Sequence, residues 1–127
     1  MYGQELQSAQ KAAVKKFAKH QGLIFFYKGK SKLEQTEAQI VANFAKEYHM
    51  PILGVSMDGI LFDSIPSKVN KNQAANLGII SFPALLLYDN ETNSAQPVAY
   101  GFATIDQIEA NIFAIRKDFT DLESVEV

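Results

Sequence analysis

The sequence predicts a single α/β domain with a central mixed sheet of about four strands and helices on both faces. Segments with apolar residues at three- and four-residue intervals alternate with short, continuous apolar runs along most of the chain. Near the end, two apolar runs follow one another with only a polar turn between them, which indicates an antiparallel hairpin. The predicted order is therefore α-β-α-β-α-β-β-α, and 127 residues suit one compact domain.

The first two predicted elements are a helix over residues 4–20 and a strand over residues 23–27. The helix has an apolar face with helical spacing, formed by Leu6, Ala9, Ala13 and Phe17. Gly22 stands just past its end, where glycine commonly terminates a helix. The strand is a continuous apolar run, and such runs are typical of strands that are buried on both faces.

The middle of the chain predicts two more helices around a second strand. Residues 33–49 form an amphipathic helix, and residues 52–57 form an apolar strand. Residues 60–66 are apolar but too interrupted to be assigned to a strand. Residues 68–77 predict a short polar helix that ends at Gly78.

The last third of the chain predicts the hairpin and the final helix. Strands are expected over residues 84–88 and 97–102, joined by a polar turn at residues 89–95. A helix follows over residues 104–119, with apolar residues on one face. We expect the acidic residues 121–127 to fray.

Composition excludes several classes of function. The chain has no cysteine, so it contains neither a disulfide nor a thiolate metal site, and dithiol redox chemistry is impossible. The net charge of −2 argues against a nucleic-acid partner, because such proteins usually carry a basic excess. No apolar run is long enough to span a membrane, so we expect no membrane insertion.

Two further local patterns point to no cofactor and no metal. The sequence Gly29-Lys30-Ser31 between a strand and a helix is similar to the end of a phosphate-binding loop, but the glycine required earlier in that loop is replaced by Ile24. The two histidines, His20 and His49, lie at predicted helix ends with no carboxylates at ligand spacing around them. We therefore predict that the chain binds neither a nucleotide nor a metal ion.

The element order and one segment resemble thioredoxins. Residues 78–87 read Gly-Ile-Ile-Ser-Phe-Pro-Ala-Leu-Leu-Leu. In thioredoxins, a similar segment closes a helix with glycine and enters a buried strand through a cis-proline. The resemblance implies a cis bond at Phe82-Pro83. It also places Ser31 and Glu34 about where the two redox cysteines would lie, and Phe25 where the assisting carboxylate would lie.

Four segments carry a closer resemblance: residues 22–29 (Gly-Leu-Ile-Phe-Phe-Tyr-Lys-Gly), 55–59 (Val-Ser-Met-Asp-Gly), 82–84 (Phe-Pro-Ala) and 100–102 (Tyr-Gly-Phe). Their order and spacing resemble the C-terminal domain of TraF-type conjugative pilus assembly proteins of type IV secretion systems, which is thioredoxin-like and lacks the CxxC motif. Such proteins have a longer N-terminal domain. The chain is therefore expected to be either the C-terminal domain of a longer precursor or a shorter relative.

This resemblance implies a non-catalytic, periplasmic adaptor without a cofactor, whose partners are other pilus or secretion assembly proteins. Two alternatives remain open. One is a chaperone-like peptide-binding protein, and the other is a small enzyme that uses a groove at Ser31 and Glu34 to bind a thiol compound such as glutathione. The missing cysteines and the missing buried acid count against an enzyme.

Two surfaces are candidates for partner binding. In thioredoxin-like proteins, the residues before the cis-proline offer backbone groups to an extended peptide. The resemblance implies such an edge here, formed by Ser81, Phe82 and Pro83 beside Tyr27 and Lys30. The alternative is that Phe82 packs inside the domain.

The second candidate surface is the long apolar link that follows Asp58-Gly59. Ile60, Leu61 and Phe62 would form an exposed partner loop there. The favoured alternative is that Leu61, Phe62 and Ile65 extend the core locally, because apolar side chains are usually buried.

Overall fold

A computed structural model of the chain describes residues 9, 11, 12, 14, 15 and 20–126. The strands are β1 (Gln21–Tyr27), β2 (Ile52–Ser56), β3 (Ser67–Val69), β4 (Ala84–Asp89) and β5 (Ser94–Tyr100). The helices are α1 (Lys32–Tyr48), α2 (Lys71–Asn76) and α3 (Ile105–Glu126). Residues 9, 11, 12, 14 and 15 are also helical, and the rest of the helix predicted over residues 4–20 lies outside the described residues.

The five strands form one mixed sheet in the order β3-β2-β1-β4-β5. β1 is central, because it runs parallel to β2 and antiparallel to β4. The α/β class and the thioredoxin-like arrangement are thus confirmed, with one strand more than the four expected.

The additional strand corrects the prediction for residues 68–77. Lys68 and Val69 belong to β3, which pairs in parallel with β2, and α2 begins only after Asn70. The Asn70 side chain caps that helix by accepting a hydrogen bond from the backbone N–H of Gln73 at 3.1 Å. Three residues carry too little periodicity to indicate a strand, so pairing with β2 decides their conformation.

The hairpin and the last helix are both longer than predicted. β5 begins at Ser94 and contains a bulge, because Leu85 pairs with Ala99 while Leu86 pairs with Pro97. The α3 helix continues to Glu126, beyond the predicted end at residue 119. None of the helices in the described part of the chain is long and apolar enough to cross a membrane.

The core lies on both faces of the sheet, as the continuous apolar run of β1 predicts. Alternate residues of a strand point to opposite faces. Leu23, Phe25 and Tyr27 pack with α1 and α3 on one face, whereas Phe26 packs with Ala74 of the α2 side on the other.

The parallel strands end at one edge of the sheet, and this edge positions the candidate site. Tyr27 of β1 pairs with Ser56 of β2, and Ser56 pairs with Val69 of β3, so all three strands finish together. Antiparallel β4 starts at this edge, and β5 ends there. We call the loops gathered here, together with the first turn of α1, the upper edge: residues 28–34, 57–61, 80–83 and 101–104.

Candidate functional site

The two positions that the thioredoxin resemblance aligns with redox cysteines, Ser31 and Glu34, are both engaged in capping. Ser31 is the N-cap of α1, and its hydroxyl accepts a hydrogen bond from the Glu34 N–H at 3.2 Å. The buried Glu34 carboxylate accepts a hydrogen bond from the Lys28 N–H at 2.9 Å. The Ser-x-x-Glu spacing is that of a capping box. In a capping box the glutamate accepts from the N–H of the N-cap residue, whereas here Glu34 accepts from Lys28, three residues before the cap. Both side chains therefore shape the loop between β1 and α1.

A second carboxylate, on Asp58, holds the same loop from the end of β2. Its two oxygens accept hydrogen bonds from the N–H groups of Gly29 and Lys30, each at 2.9 Å. The Ile60 N–H and the Ser56 hydroxyl also donate to it, each at 3.1 Å. Partial burial raises the pKa of Asp58, but these four donors outweigh burial and lower it to about 2. Asp58 is thus an ionised bridge between the two loops at neutral pH.

Gly29 lets the two loops approach closely. A Cβ atom at this position would overlap the backbone carbonyl of Ile60. No side chain larger than hydrogen fits without moving that backbone. The loop that matches the redox segment of thioredoxins is consequently covered on one side by residues 58–60.

Two residues predicted for the binding surfaces are instead buried in the core. Tyr27 is fully buried, and its hydroxyl donates to the Ser67 hydroxyl at 2.8 Å and accepts from the Phe62 N–H at 3.0 Å. Phe62 is 6% exposed and stacks on Tyr27 with ring centroids 4.2 Å apart. An aromatic ring flanked by two buried hydrogen-bond partners gains more from packing than from exposure. Neither ring is available to a partner.

The apolar link after Asp58 is divided between core and surface. Phe62 and Ile65 are buried, which matches the favoured alternative of a local core extension. Ile60 and Leu61 remain 45% and 48% exposed. The candidate partner loop therefore consists of two residues at the upper edge rather than three.

The segment around Pro83 is the other exposed part of the upper edge. The Phe82-Pro83 bond is cis, and Pro83 is buried, with its carbonyl accepting from the Gly101 N–H at 2.7 Å. Ser81 is exposed, Phe82 is half-buried against the core, and Ile80 is 91% exposed. Among the described residues, neither Ile80 nor Ser81 forms a hydrogen bond. The backbone before Pro83 is therefore open to an extended segment.

Three exposed lysines lie at this edge, and one of them contacts Phe82. The Lys28 ammonium lies 5.6 Å from the centre of the Phe82 ring, a cation–π distance. Lys30, which was predicted for the binding rim, is exposed, and its backbone is held by Asp58. Lys32, in the first turn of α1, is exposed as well.

Two further buried carboxylates hold the helices behind this edge. Glu37 of α1 accepts a hydrogen bond from the Ala103 N–H at 3.2 Å, and burial raises its pKa while that bond lowers it. Glu109 of α3 accepts from the Tyr48 hydroxyl at 2.9 Å. Burial, together with this neighbouring carboxylate, raises the pKa of Tyr48.

The structure thus brings Ser31, Glu34, Lys30, Phe82 and Pro83 to one edge. Sequence reasoning missed the bridging role of Asp58, which was noted only as the residue before the apolar link, and the contact between Glu37 and Ala103. A Ser-x-x-Glu capping signal was visible in the sequence, whereas partners 28 or more residues away were not. Within the described part of the chain, no three His, Asp or Glu side chains are grouped to hold a metal ion.

Comparison with known proteins shows a match over nearly the whole chain. The family model described as "TraF: F plasmid transfer operon protein" matches residues 1–113. Protein TraF of Escherichia coli (strain K12) is 33% identical over 114 residues, which cover 89% of this chain and 46% of that protein. The chain therefore spans about half the length of the curated relative it matches.

Solved structures that are similar to this chain share its fold. MTB DsbF, in mixed oxidised and reduced forms, superimposes with a TM-score of 0.58 at 16% identity, covering 75% of this chain and 80% of the other. The exposed lipoprotein thioredoxin Etrx1 of Streptococcus pneumoniae strain TIGR4 gives 0.59 at 16% identity, covering 75% and 84%. At this identity the likeness shows a thioredoxin-like fold and carries no functional residue across.

Proposed function

The chain belongs to the TraF family of F plasmid transfer operon proteins, and from that membership we propose that it is a non-catalytic, thioredoxin-fold adaptor in conjugative transfer. It would act in the periplasmic assembly of a conjugative pilus or type IV secretion channel. Its partners would be other proteins of that assembly.

One observation carries the non-catalytic part of the proposal. The resemblance to thioredoxins aligns Ser31 and Glu34 with the two redox cysteines, and both side chains are engaged in capping α1 and its preceding loop. A serine hydroxyl does not ionise near neutral pH, so it cannot take the place of a thiolate in exchange chemistry. The same resemblance aligns the assisting carboxylate with Phe25, a buried side chain that cannot act as a base.

The binding part of the proposal is supported by what the upper edge leaves open. Ile80 is almost fully exposed, and the backbone at Ile80 and Ser81 lacks hydrogen bonds with the described residues. Exposed apolar side chains beside open backbone groups suit the addition of an extended partner segment. Leu61 and Ile60 extend this surface on the other side of Gly29.

A mating assay separates an adaptor from an enzyme. The gene for this chain is deleted and complemented with Ser31→Asp, which keeps an N-cap oxygen but removes the hydroxyl nucleophile. The adaptor hypothesis predicts an unchanged transfer frequency, whereas any mechanism that uses the Ser31 hydroxyl predicts a loss of at least about a hundred-fold.

The same assay tests the surface. Ile80→Ser combined with Phe82→Ser is expected to lower transfer, and Leu77→Ser is the matched control because Leu77 is exposed at the end of α2. Pull-down with purified proteins encoded in the same transfer operon should show a defined partner that the double variant loses. Normal transfer by the deletion strain, or no partner at micromolar concentration, would overturn the proposal.

A further inference from the structure

We propose that the upper edge binds an extended segment of a partner protein that carries both apolar and acidic side chains. The inference rests on the proposed adaptor function and names the chemistry of the partner. Three lysines would pair with its carboxylates: Lys28, Lys30 and Lys32. Three exposed apolar side chains would contact its apolar residues: Leu33, Ile80 and Phe102.

The lysines supply unpaired positive charge at this edge. All three side chains are exposed, and within the described part of the chain none of them forms an ion pair. The carboxylates of Asp58 and Glu34 accept backbone N–H groups and form no ion pair with these lysines, so three ammonium groups stand against two carboxylates in these loops. The edge is therefore locally basic in a chain whose net charge is −2.

The three apolar side chains come from three segments that are distant in sequence, and hydrogen bonds connect these segments. Leu33, in the first turn of α1, is 69% exposed, and Phe102, after β5, is 57% exposed. Glu37, one turn after Leu33, accepts a hydrogen bond from Ala103, the residue after Phe102. The bond from the Gly101 N–H to the Pro83 carbonyl joins this connection to the segment that carries Ile80.

The open backbone favours a peptide over other anionic partners. Neither Ile80 nor Ser81 is hydrogen-bonded among the described residues, and only a polypeptide supplies N–H and C=O groups at strand spacing. Nucleic-acid binding draws its affinity from many neutralised phosphates, and three lysines supply few. The lysines therefore favour an acidic partner, and the open backbone groups at Ile80 and Ser81 favour an extended one.

Three synthetic twelve-residue peptides test the inference on the full 127-residue chain. They share alternating apolar residues, and the intervening positions are glutamate, serine or lysine. Fluorescence polarisation gives the Kd of each. We expect the glutamate peptide to bind about ten-fold more tightly than the serine peptide, and to lose most of that advantage when salt rises from 50 to 300 mM.

Charge-reversal variants locate the site. Lys30→Glu with Lys32→Glu should weaken the glutamate peptide about ten-fold and strengthen the lysine peptide. The matched control is Lys11→Glu with Lys46→Glu, which changes net charge equally at exposed lysines elsewhere and should alter Kd less than about two-fold. Ile80→Ser should weaken all three peptides, with Leu77→Ser as its control. Thermal unfolding confirms that each variant is folded. If Lys30→Glu with Lys32→Glu is not folded, the milder pair Lys30→Gln with Lys32→Gln replaces it.

Three results would overturn the inference. The first is equal affinity for the glutamate and serine peptides. The second is an equal loss of peptide affinity in both lysine-pair variants. The third is that no peptide binds, whereas a twelve-nucleotide single strand or anionic lipid vesicles bind at these lysines. Each leaves the mating assay unaffected. Conversely, normal transfer without the gene would refute the adaptor function even if the peptide bound, so the two failures are distinguishable.

Discussion

The upper edge is held from two sides by carboxylates whose electrostatic situations are opposite. On one side, Asp58 accepts four hydrogen bonds and joins the loop after β1 to the link after β2. On the other, Glu37 accepts one hydrogen bond from Ala103 and holds the connection between β5 and α3. The first carboxyl group has a lowered pKa, and the second has a raised one.

The difference shows that the balance between burial and the number of hydrogen-bond donors decides whether a carboxylate stabilises the fold as an anion. Four donors outweigh the loss of hydration at half-buried Asp58, whereas a single N–H does not at buried Glu37. The Asp58 side is also packed tightly at Gly29, while the corresponding glycine on the Glu37 side, Gly101, has open space around it. Four measurements test this contrast.

The largest effect is expected at the two glycines. Gly29→Ala should lower the free energy of unfolding by about 2 to 3 kcal/mol, because its Cβ overlaps the Ile60 carbonyl. Gly101→Ala should cost only about 1 kcal/mol, because φ is +83° but no atom lies within 4 Å. Urea unfolding measures both. Gly22→Ala, whose Cβ would meet ordinary contacts at 3.4 Å or more, should cost least, and equal losses at Gly29 and Gly22 would refute the close-packing argument.

The second largest loss of unfolding free energy is expected when the Asp58 carboxylate is removed. Asp58→Ala should cost about 2 kcal/mol of unfolding free energy, because the backbone donors of Gly29, Lys30 and Ile60 lose a charged acceptor. Amide hydrogen exchange at Gly29 and Lys30 should accelerate in parallel. Asp63→Ala is the control, since Asp63 is exposed on the same link. Unchanged exchange at these amides would show that Asp58 does not hold the loop.

Acid should reveal the charge of the bridge. A lowered pKa means that the stabilisation by Asp58 is present above its ordinary pKa of 3.8 and is lost as the pH falls through about 2. After solvent screening, we expect a contribution of about 1 kcal/mol. The stability difference between the wild-type chain and Asp58→Asn should therefore shrink between pH 5 and pH 2. A difference independent of pH would contradict the assignment.

The smallest effect is expected at Glu37, with the opposite sign. Because its pKa is raised, the ionised form costs stability, and this cost is absent below the ordinary pKa of 4.5 and appears as the pH rises through the folded-state pKa. Glu37→Gln keeps an acceptor for Ala103 and should stabilise the chain by about 0.5 kcal/mol at pH 7. Glu47→Gln, at an exposed position of the same helix, should be neutral. Destabilisation by Glu37→Gln would mean that the charge is favourable there.

Local sequence was sufficient for the parts of the site that depend on near neighbours. The apolar periodicity of residues 33–49 predicted the start of α1 to within one residue, and the Ser31 cap three residues before Glu34 is where the structure begins the helix. The continuous run of β1 likewise indicated burial on both faces, and the structure shows it. Four short segments, one of them residues 82–84, carried the resemblance to TraF-type proteins that the family match confirms.

Long-range contacts were beyond local sequence. Tyr27 and Phe62 were interpreted as binding residues, yet they stack on each other across 35 residues of chain. The hydrogen bonds that Asp58 accepts from Gly29 and Lys30 cross 29 and 28 residues, and the strand at Ser67–Val69 exists only because β2 lies beside it.

The sequence by itself therefore determined the order of most elements, the lack of thiol chemistry and the family. Each follows from residue type and local spacing, or from similarity along the chain. Only the tertiary structure decided which apolar side chains in the segment 60–66 are exposed and which backbone groups donate hydrogen bonds to Asp58. It also decided that the Lys28 ammonium lies over the Phe82 ring. The reason is physical: burial and hydrogen-bond pairing depend on which segments meet in space, and the chain brings those segments together only when the whole sheet forms.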